Sequence, residues 1–177
     1  MDSFTETVNL LAATGTFIIG VLALVGILLH GIHHKKPHRV LDAVTKWLLW
    51  IGFGIALAGV IFSLTYSGVI GYAPCDLCWW ARIFIYPQAI LYGLALFGRD
   101  RKIFRYTLAL SLVGLMFAMY QNYLVWGGTS LIACDTGASC TALYVNEFGF
   151  ITIQLMALFS QLGLVAVAWI GLTRNGE

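Results

Sequence analysis

Polar residues interrupt this chain at only a few places, and between them run five apolar stretches, roughly Val8 to His30, Lys46 to Val69, Trp79 to Phe97, Tyr106 to Val125 and Phe148 to Leu172. Each approaches the length of about 20 residues that a helix needs to cross hydrocarbon with every backbone group satisfied internally. The pattern predicts an all-α integral membrane protein with five spans. Composition agrees: 60% of residues are hydrophobic and 10% charged, with mean hydropathy +0.86, whereas soluble domains are about a quarter charged. No internal repeat, low-complexity tract or soluble domain breaks the series, so the chain reads as one bundle.

The connections carry the charge, and they carry it unevenly. His33-His34-Lys35-Lys36-Pro37-His38-Arg39 with Lys46 separates the first two stretches, Arg99-Asp100-Arg101-Lys102 with Arg105 separates the third and fourth, and Arg174 follows the fifth. If the helices alternate, all of these lie on one side. The other side receives Asp2, Glu6, Asp76, Asp135 and Glu147, and of the cations only Arg82. Under the positive-inside rule the basic side is cytoplasmic, which predicts an outside N-terminus, a cytoplasmic C-terminus and cysteine-bearing connections outside. The first stretch is expected to be a retained helix rather than a signal peptide, because no cation precedes it, its apolar run is too long, and the basic cluster follows it.

All four cysteines fall in the two extracytoplasmic connections, as Cys75 with Cys78 and Cys134 with Cys140. Disulfides are permitted there, and stapled loops are the ordinary reason for them. A Cys-x-x-Cys ring, however, is so small that closing it removes little unfolded-chain entropy, so it makes a weak staple and a good redox switch. Pro74 and the apolar run from Trp79 set Cys75-Asp76-Leu77-Cys78 at the N-terminus of the third span, where the helix dipole favours a thiolate. Arg82 follows Cys75 by seven residues and Cys78 by four. That spacing aligns all three on one helical face. An interfacial arginine commonly just snorkels to headgroups, but this one is the lone cation on its side and stands in register with two cysteines, so a functional role is expected of it.

Cys134 and Cys140 enclose Asp135-Thr136-Gly137-Ala138-Ser139, a small polar run that reads as an exposed loop whose disulfide suits exchange with a visiting thiol. Trp79, Trp80, Phe84 and Tyr86 have faces on which a flat ring could stack, yet aromatic residues at a membrane boundary more often form an interfacial belt. Pro87 is expected to kink its helix, and Gln88, Gln121, Asn122, Gln154 and Gln161 to hydrogen-bond between helices rather than bind ligands. His30, His33, His34 and His38 are best read as part of a solvated basic turn. A c-type haem would need His where Trp79 stands, and a four-cysteine zinc site would need the two loops to converge without redox purpose.

The run Cys75-Asp76-Leu77-Cys78-Trp79-Trp80-Ala81-Arg82, the later pair Cys134 and Cys140, and Glu147-Phe148-Gly149-Phe150-Ile151-Thr152 before the last span resemble the DsbB family of membrane disulfide-forming oxidoreductases, in particular its BdbC-like branch. The resemblance covers roughly Lys46 to Leu172. It implies a four-helix redox domain over residues 46–177, preceded over residues 1–45 by an N-terminal transmembrane helix and basic loop that the family pattern lacks. It also implies a bacterial cytoplasmic-membrane location, an extracytoplasmic DsbA-like thioredoxin-fold thiol oxidase as partner, a quinone (ubiquinone or menaquinone) as electron acceptor, and no nucleic acid among the partners. By the same resemblance Cys134 takes the mixed disulfide with the partner, Cys140 exchanges with Cys75, Cys78 passes electrons to the quinone, and Arg82 polarises the quinone and keeps the thiolate ionised.

Redox potentials fit that reading, since a DsbA-type oxidant near about −120 mV is not regenerated by a structural disulfide below about −300 mV and a quinone must drive the step. Two alternatives compete. A vitamin K epoxide reductase-like quinone reductase usually carries its membrane Cys-x-x-Cys after the loop pair, the reverse of the order here. A non-enzymatic membrane subunit with structural disulfides would leave Arg82 dispensable.

Overall fold

The computed structural model describes residues 3–32, 47–98, 100–129 and 139–174. The basic turn from His33 to Lys46, together with Asp2, Arg99, Cys134 and Asp135, lies outside the described residues, as does the side chain of Arg174. The elements are α1 (Ser3–Ile32), α2 (Leu48–Leu64), α3 (Asp76–Gly98), α4 (Ile103–Val125) and α5 (Ile153–Arg174). Among the described residues these give five helical spans long and apolar enough to cross a membrane. The chain is a multi-pass, all-helical membrane protein, as its apolar stretches predict.

Two spans have irregular ends, each for a local reason. The α2 span reaches crossing length only through a π-helical turn at Thr65–Val69. There the Thr65 and Ser67 hydroxyls donate to the Ile61 and Ser63 carbonyls at 2.9 and 3.0 Å, local bonds of the kind that bend a helix away from its regular ladder. The last span begins at Ile153 rather than Phe148. Phe148 and Gly149 have φ of 55° and 78°, and the backbones of Glu147 and Ile151 bond each other in a tight turn. A hydropathy profile is blind to left-handed backbone, so it merges this turn with the helix.

α2, α3, α4 and α5 close a four-helix bundle, and α1 packs on its outside along α5. Contact with helices on several sides leaves α5 the most deeply buried span, with Leu164 and Ala168 fully enclosed. Small residues make this possible, as van der Waals packing in lipid requires. A Cβ on Gly52 would lie 2.7 Å from the Tyr92 ring, and one on Gly163 would lie 2.5 Å from Ile19 and 3.3 Å from Ile55. Polar links add to the packing: the Ser111 hydroxyl donates to Gln88 Oε1 at 2.8 Å and Asn122 Nδ2 to the Gln154 carbonyl at 2.9 Å, each contributing about 0.6 kcal/mol by analogy with other membrane bundles.

His30 departs from its reading as part of a solvated turn. It is enclosed between α1 and α5, sharing a 2.8 Å hydrogen bond with Thr173 and meeting Trp169 edge to face. Apolar surface on the outside of the bundle, such as Leu22, Leu28, Ile90 and Leu94, is what lipid chains require of a span.

Candidate active site

Cys75 caps α3. Its carbonyl accepts the Trp79 N–H at 3.1 Å and its sulfur accepts the Cys78 N–H at 3.3 Å, the two bonds that define a helix N-terminus. A cap and a residue three positions on must face each other, and here the Cys75 and Cys78 sulfurs meet at 2.6 Å as free thiols. Gln121, one turn from the end of α4, brings its Nε2 to 3.5 Å from the Cys75 sulfur and 3.4 Å from the Cys78 sulfur. The expectation that Gln121 bonds between helices holds. Its partner is the cysteine pair, which no feature of the sequence signals.

Arg82 reaches across to α2, where its Nη2 donates to the Ser63 carbonyl at 3.4 Å. Its guanidinium lies over the Trp79 ring at 4.9 Å, an arrangement that orients a cation without neutralising it. Cys75, Cys78, Arg82 and Gln121 all line one cavity of about 220 Å³. Most of its remaining wall is apolar, from α1, α2 and α5. Two polar groups in that wall, the Tyr66 hydroxyl and Gln161 Oε1, are buried without a hydrogen-bond partner among the described residues. Tyr66 does not stand out in the sequence, and Gln161, expected to hydrogen-bond between helices, instead turns an unpaired oxygen to this wall.

The second pair is half visible. Cys140 is disulfide-bonded, while Cys134 lies outside the described residues. Cys140 and Cys75 are both 3% exposed and belong to one buried cluster with Leu77 and Leu124. The segment carrying Cys140 is held there from two sides. Gln154 Nε2 donates to the Ala142 carbonyl at 3.1 Å, and Tyr144 stacks on Tyr72 with ring centres 4.7 Å apart, in line with Tyr66 beyond it. Such a stack contributes about 0.5–1.5 kcal/mol beyond its buried area.

The aromatic residues near the motif do not form a ring-binding face. Trp80, Phe84 and Phe117 stack on one another, Tyr86 donates to Ser63 Oγ at 3.2 Å, and none of Trp79, Trp80, Phe84 and Tyr86 lines the cavity.

The pair is asymmetric. The Cys75 thiol is held above the ordinary thiol range, first by its hydrogen bond to the Cys78 sulfur and then by burial. A thiol pKa moved upward means that Cys75 keeps its proton as pH rises through about 8.5, where a free cysteine ionises. Alkylating the reduced protein with iodoacetamide is therefore expected to modify half-buried Cys78 and spare Cys75, and raising the pH from about 7 to about 9 is expected not to recruit Cys75. Peptide mapping that finds Cys75 modified first would contradict this asymmetry.

Comparison with known proteins gives consistent matches. A family model described as "Disulfide bond formation protein DsbB" matches residues 45–173. "Disulfide bond formation protein C" of Bacillus subtilis is 33% identical over 114 residues, covering 63% of this chain and 83% of the relative. "Probable disulfide formation protein C 2" of Bacillus anthracis is 30% identical over 128 residues, covering 72% and 91%. "Probable disulfide formation protein" of Oceanobacillus iheyensis is 41% identical over 118 residues, covering 62% and 76%. No solved structure matches the chain.

Proposed function

The chain belongs to the DsbB family of disulfide bond formation proteins and is thus a membrane oxidoreductase of disulfide formation; from that premise we propose that it reoxidises an extracytoplasmic, DsbA-like thioredoxin-fold thiol oxidase and delivers the electrons to a membrane quinone. The observation that carries this reading is a cysteine pair at the mouth of a helix, opening on a cavity among membrane spans, with Cys140 packed in the same buried cluster as Cys75. The chain is oriented, on this proposal, with its N-terminus and both cysteine connections outside and its C-terminus in the cytoplasm, as the basic residues require.

The relay begins at the second pair. A partner thiolate attacks Cys134, a mixed disulfide forms and Cys140 leaves as a thiolate. The partner's second thiol then attacks the mixed disulfide, releasing the oxidised partner and the Cys134 thiol. Cys140 attacks Cys75 of an oxidised Cys75–Cys78 pair, forming Cys140–Cys75 and freeing Cys78 as a thiolate. Gln121 donates to the Cys78 sulfur and so stabilises the charge released there. Arg82, in the same cavity wall, adds a fixed positive charge. Return of Cys134 onto Cys140 then frees Cys75, and the Cys75–Cys78 pair is regenerated as its electrons leave.

A quinone, when bound, supplies the acceptor for two electrons and two protons, so that a partner dithiol plus quinone gives a partner disulfide plus quinol. The cavity suits such a group. Its walls are apolar, it lies among membrane spans, and the unpaired Tyr66 hydroxyl and Gln161 amide oxygen would leave a dry cavity unsatisfied. Arg82, Gln121 and Tyr66 would hold the ring's oxygens by donating to them.

The test uses full-length protein in lipid nanodiscs with a reduced thioredoxin-fold oxidase and a quinone. Loss of quinone absorbance should match partner disulfide formed one for one. Cys140→Ser should stop partner oxidation while dithiothreitol still drives bleaching through Cys75 and Cys78. Partner oxidation at the wild-type rate in Cys140→Ser would overturn the relay.

A further inference from the structure

α1 lies wholly outside the family-matched residues 45–173, yet it forms one wall of the cavity that holds the cysteines. Leu11, Gly15 and Ile19 stand on the α1 side, and Ala58 and Gly59 on the α2 side. The two helices are not pressed together. α1 is held along α5, with no interface of comparable extent to α2, which leaves a cleft between them. Its floor is closed where Ile19 and Ile55 both approach Gly163.

Higher up, the cleft is open. Leu11 and Gly15 belong to the cavity wall and are nevertheless exposed on the outside of the bundle, so they mark its mouth. A Cβ on Gly15 would find nothing within 4 Å. Gly15 also sits near the middle of the 30-residue α1, at a depth where the surroundings are hydrocarbon rather than water. A molecule using this opening must already be dissolved in the bilayer.

We propose that the cleft between α1 and α2 is the lateral entrance through which a quinone carrying an isoprenoid tail passes from the bilayer to the cysteines, with Gly15 keeping the mouth open. The proposal rests on the quinone reading above and gives the additional helix a function of its own, because α1 turns an open flank of the bundle into a slot that admits a flat ring and leaves its tail in lipid. Small residues on both lips, Gly15 against Ala58, give the slot its width. Inside, the unpartnered Tyr66 hydroxyl can donate to a carbonyl oxygen of an arriving quinone, and the Gln161 amide oxygen can accept from the quinol that leaves.

The experiment compares wild-type protein, Gly15→Phe and Gly31→Phe in nanodiscs. Gly31 lies on the same helix, is exposed, has open space around it and does not line the cavity, so Gly31→Phe controls for added bulk on α1. At neither position would an added Cβ meet a described neighbour, and each change replaces a helical glycine with a better helix former, so both variants should fold. For Gly15→Phe the ratio of turnover with a long-tailed quinone to turnover with a tailless, water-soluble benzoquinone should fall about tenfold or more, as for a blocked access step. Gly31→Phe should keep the wild-type ratio.

A second readout needs no turnover: a tailed azido-quinone irradiated in the nanodisc should label the segment from Leu11 to Ile19 in wild-type protein and lose that label in Gly15→Phe. An unchanged ratio in Gly15→Phe, or labelling confined to α2 and α5, would overturn the entrance while leaving quinone reduction standing. Wild-type protein that reduces neither quinone would overturn the quinone reading and the entrance with it.

Discussion

Cys78→Ser is expected to bring partner-driven quinone reduction down to the uncatalysed background, a loss of about 10³-fold or more, as when a covalent catalyst loses its nucleophile. The reason lies in the division of labour between two sulfurs. Cys75 is buried in one cluster with Cys140, so it suits the exchange between pairs. Cys78 is half-buried in the cavity wall and one helical turn from Arg82, so on the proposed relay it is the sulfur that faces the acceptor. Serine preserves the hydrogen bond from Gln121 and nearly the volume, and the cost to stability should stay within about 1 kcal/mol.

The same variant gives a second readout. With Cys78 gone, the Cys75 thiol can still exchange with the Cys140 disulfide, releasing Cys134 as a thiol, and Cys78 is no longer there to draw Cys75 back into its own pair. Non-reducing peptide mapping should recover a Cys75–Cys140 species. Unchanged turnover in Cys78→Ser, or failure to find that species, would argue against the assignment.

How far the site was legible in the sequence depends on what each residue does. The spans announced themselves because lipid demands long apolar runs and a break between them has to be polar. Cys75, Cys78 and Arg82 were legible because helical periodicity alone aligns positions three, four and seven apart, and all three line one cavity. Gln121 was not, since a glutamine in an apolar span has many possible partners and only the crossing of α3 and α4 decides that it meets two sulfurs. Tyr66 was hidden for a related reason, because it stands in a π turn whose hydroxyl back-bonds no hydropathy pattern records.

The aromatic residues beside the motif offered the sequence two readings, a face for a flat ring or an interfacial belt, of which the belt was favoured. Trp80 and Phe84 have the chemistry to stack on a flat ring, but they spend it on each other and on Phe117. The place of α1 was invisible altogether, because a helix that packs on the outside of a bundle carries the same apolar signature whether it merely anchors or walls a cavity.

Arg82→Ala is expected to lower kcat/KM for quinone by about 10²-fold, the scale seen when one preorganised donor to developing charge is removed. The guanidinium is fixed by the Trp79 ring and the Ser63 carbonyl, neither of which carries negative charge. Its positive field is therefore left for the sulfur released at Cys78 and for oxygens in the cavity. Being only half-buried and held by neutral partners, it should contribute little to stability, so Arg82→Ala should unfold within a few degrees of wild type. Arg82→Lys separates charge from shape: an ammonium keeps the charge but loses the planar stack on Trp79, and it should recover part of the lost rate. Arg82→Met keeps the stem's packing without the charge, and it should behave like Arg82→Ala. On the proposed relay the partner exchanges with Cys134 before any electron reaches Cys78, so trapping of the partner's mixed disulfide should be unaffected in all three. Apparent KM for quinone, measured beside that trapping, decides the matter: a wild-type value in Arg82→Ala would remove the cation from the site's chemistry.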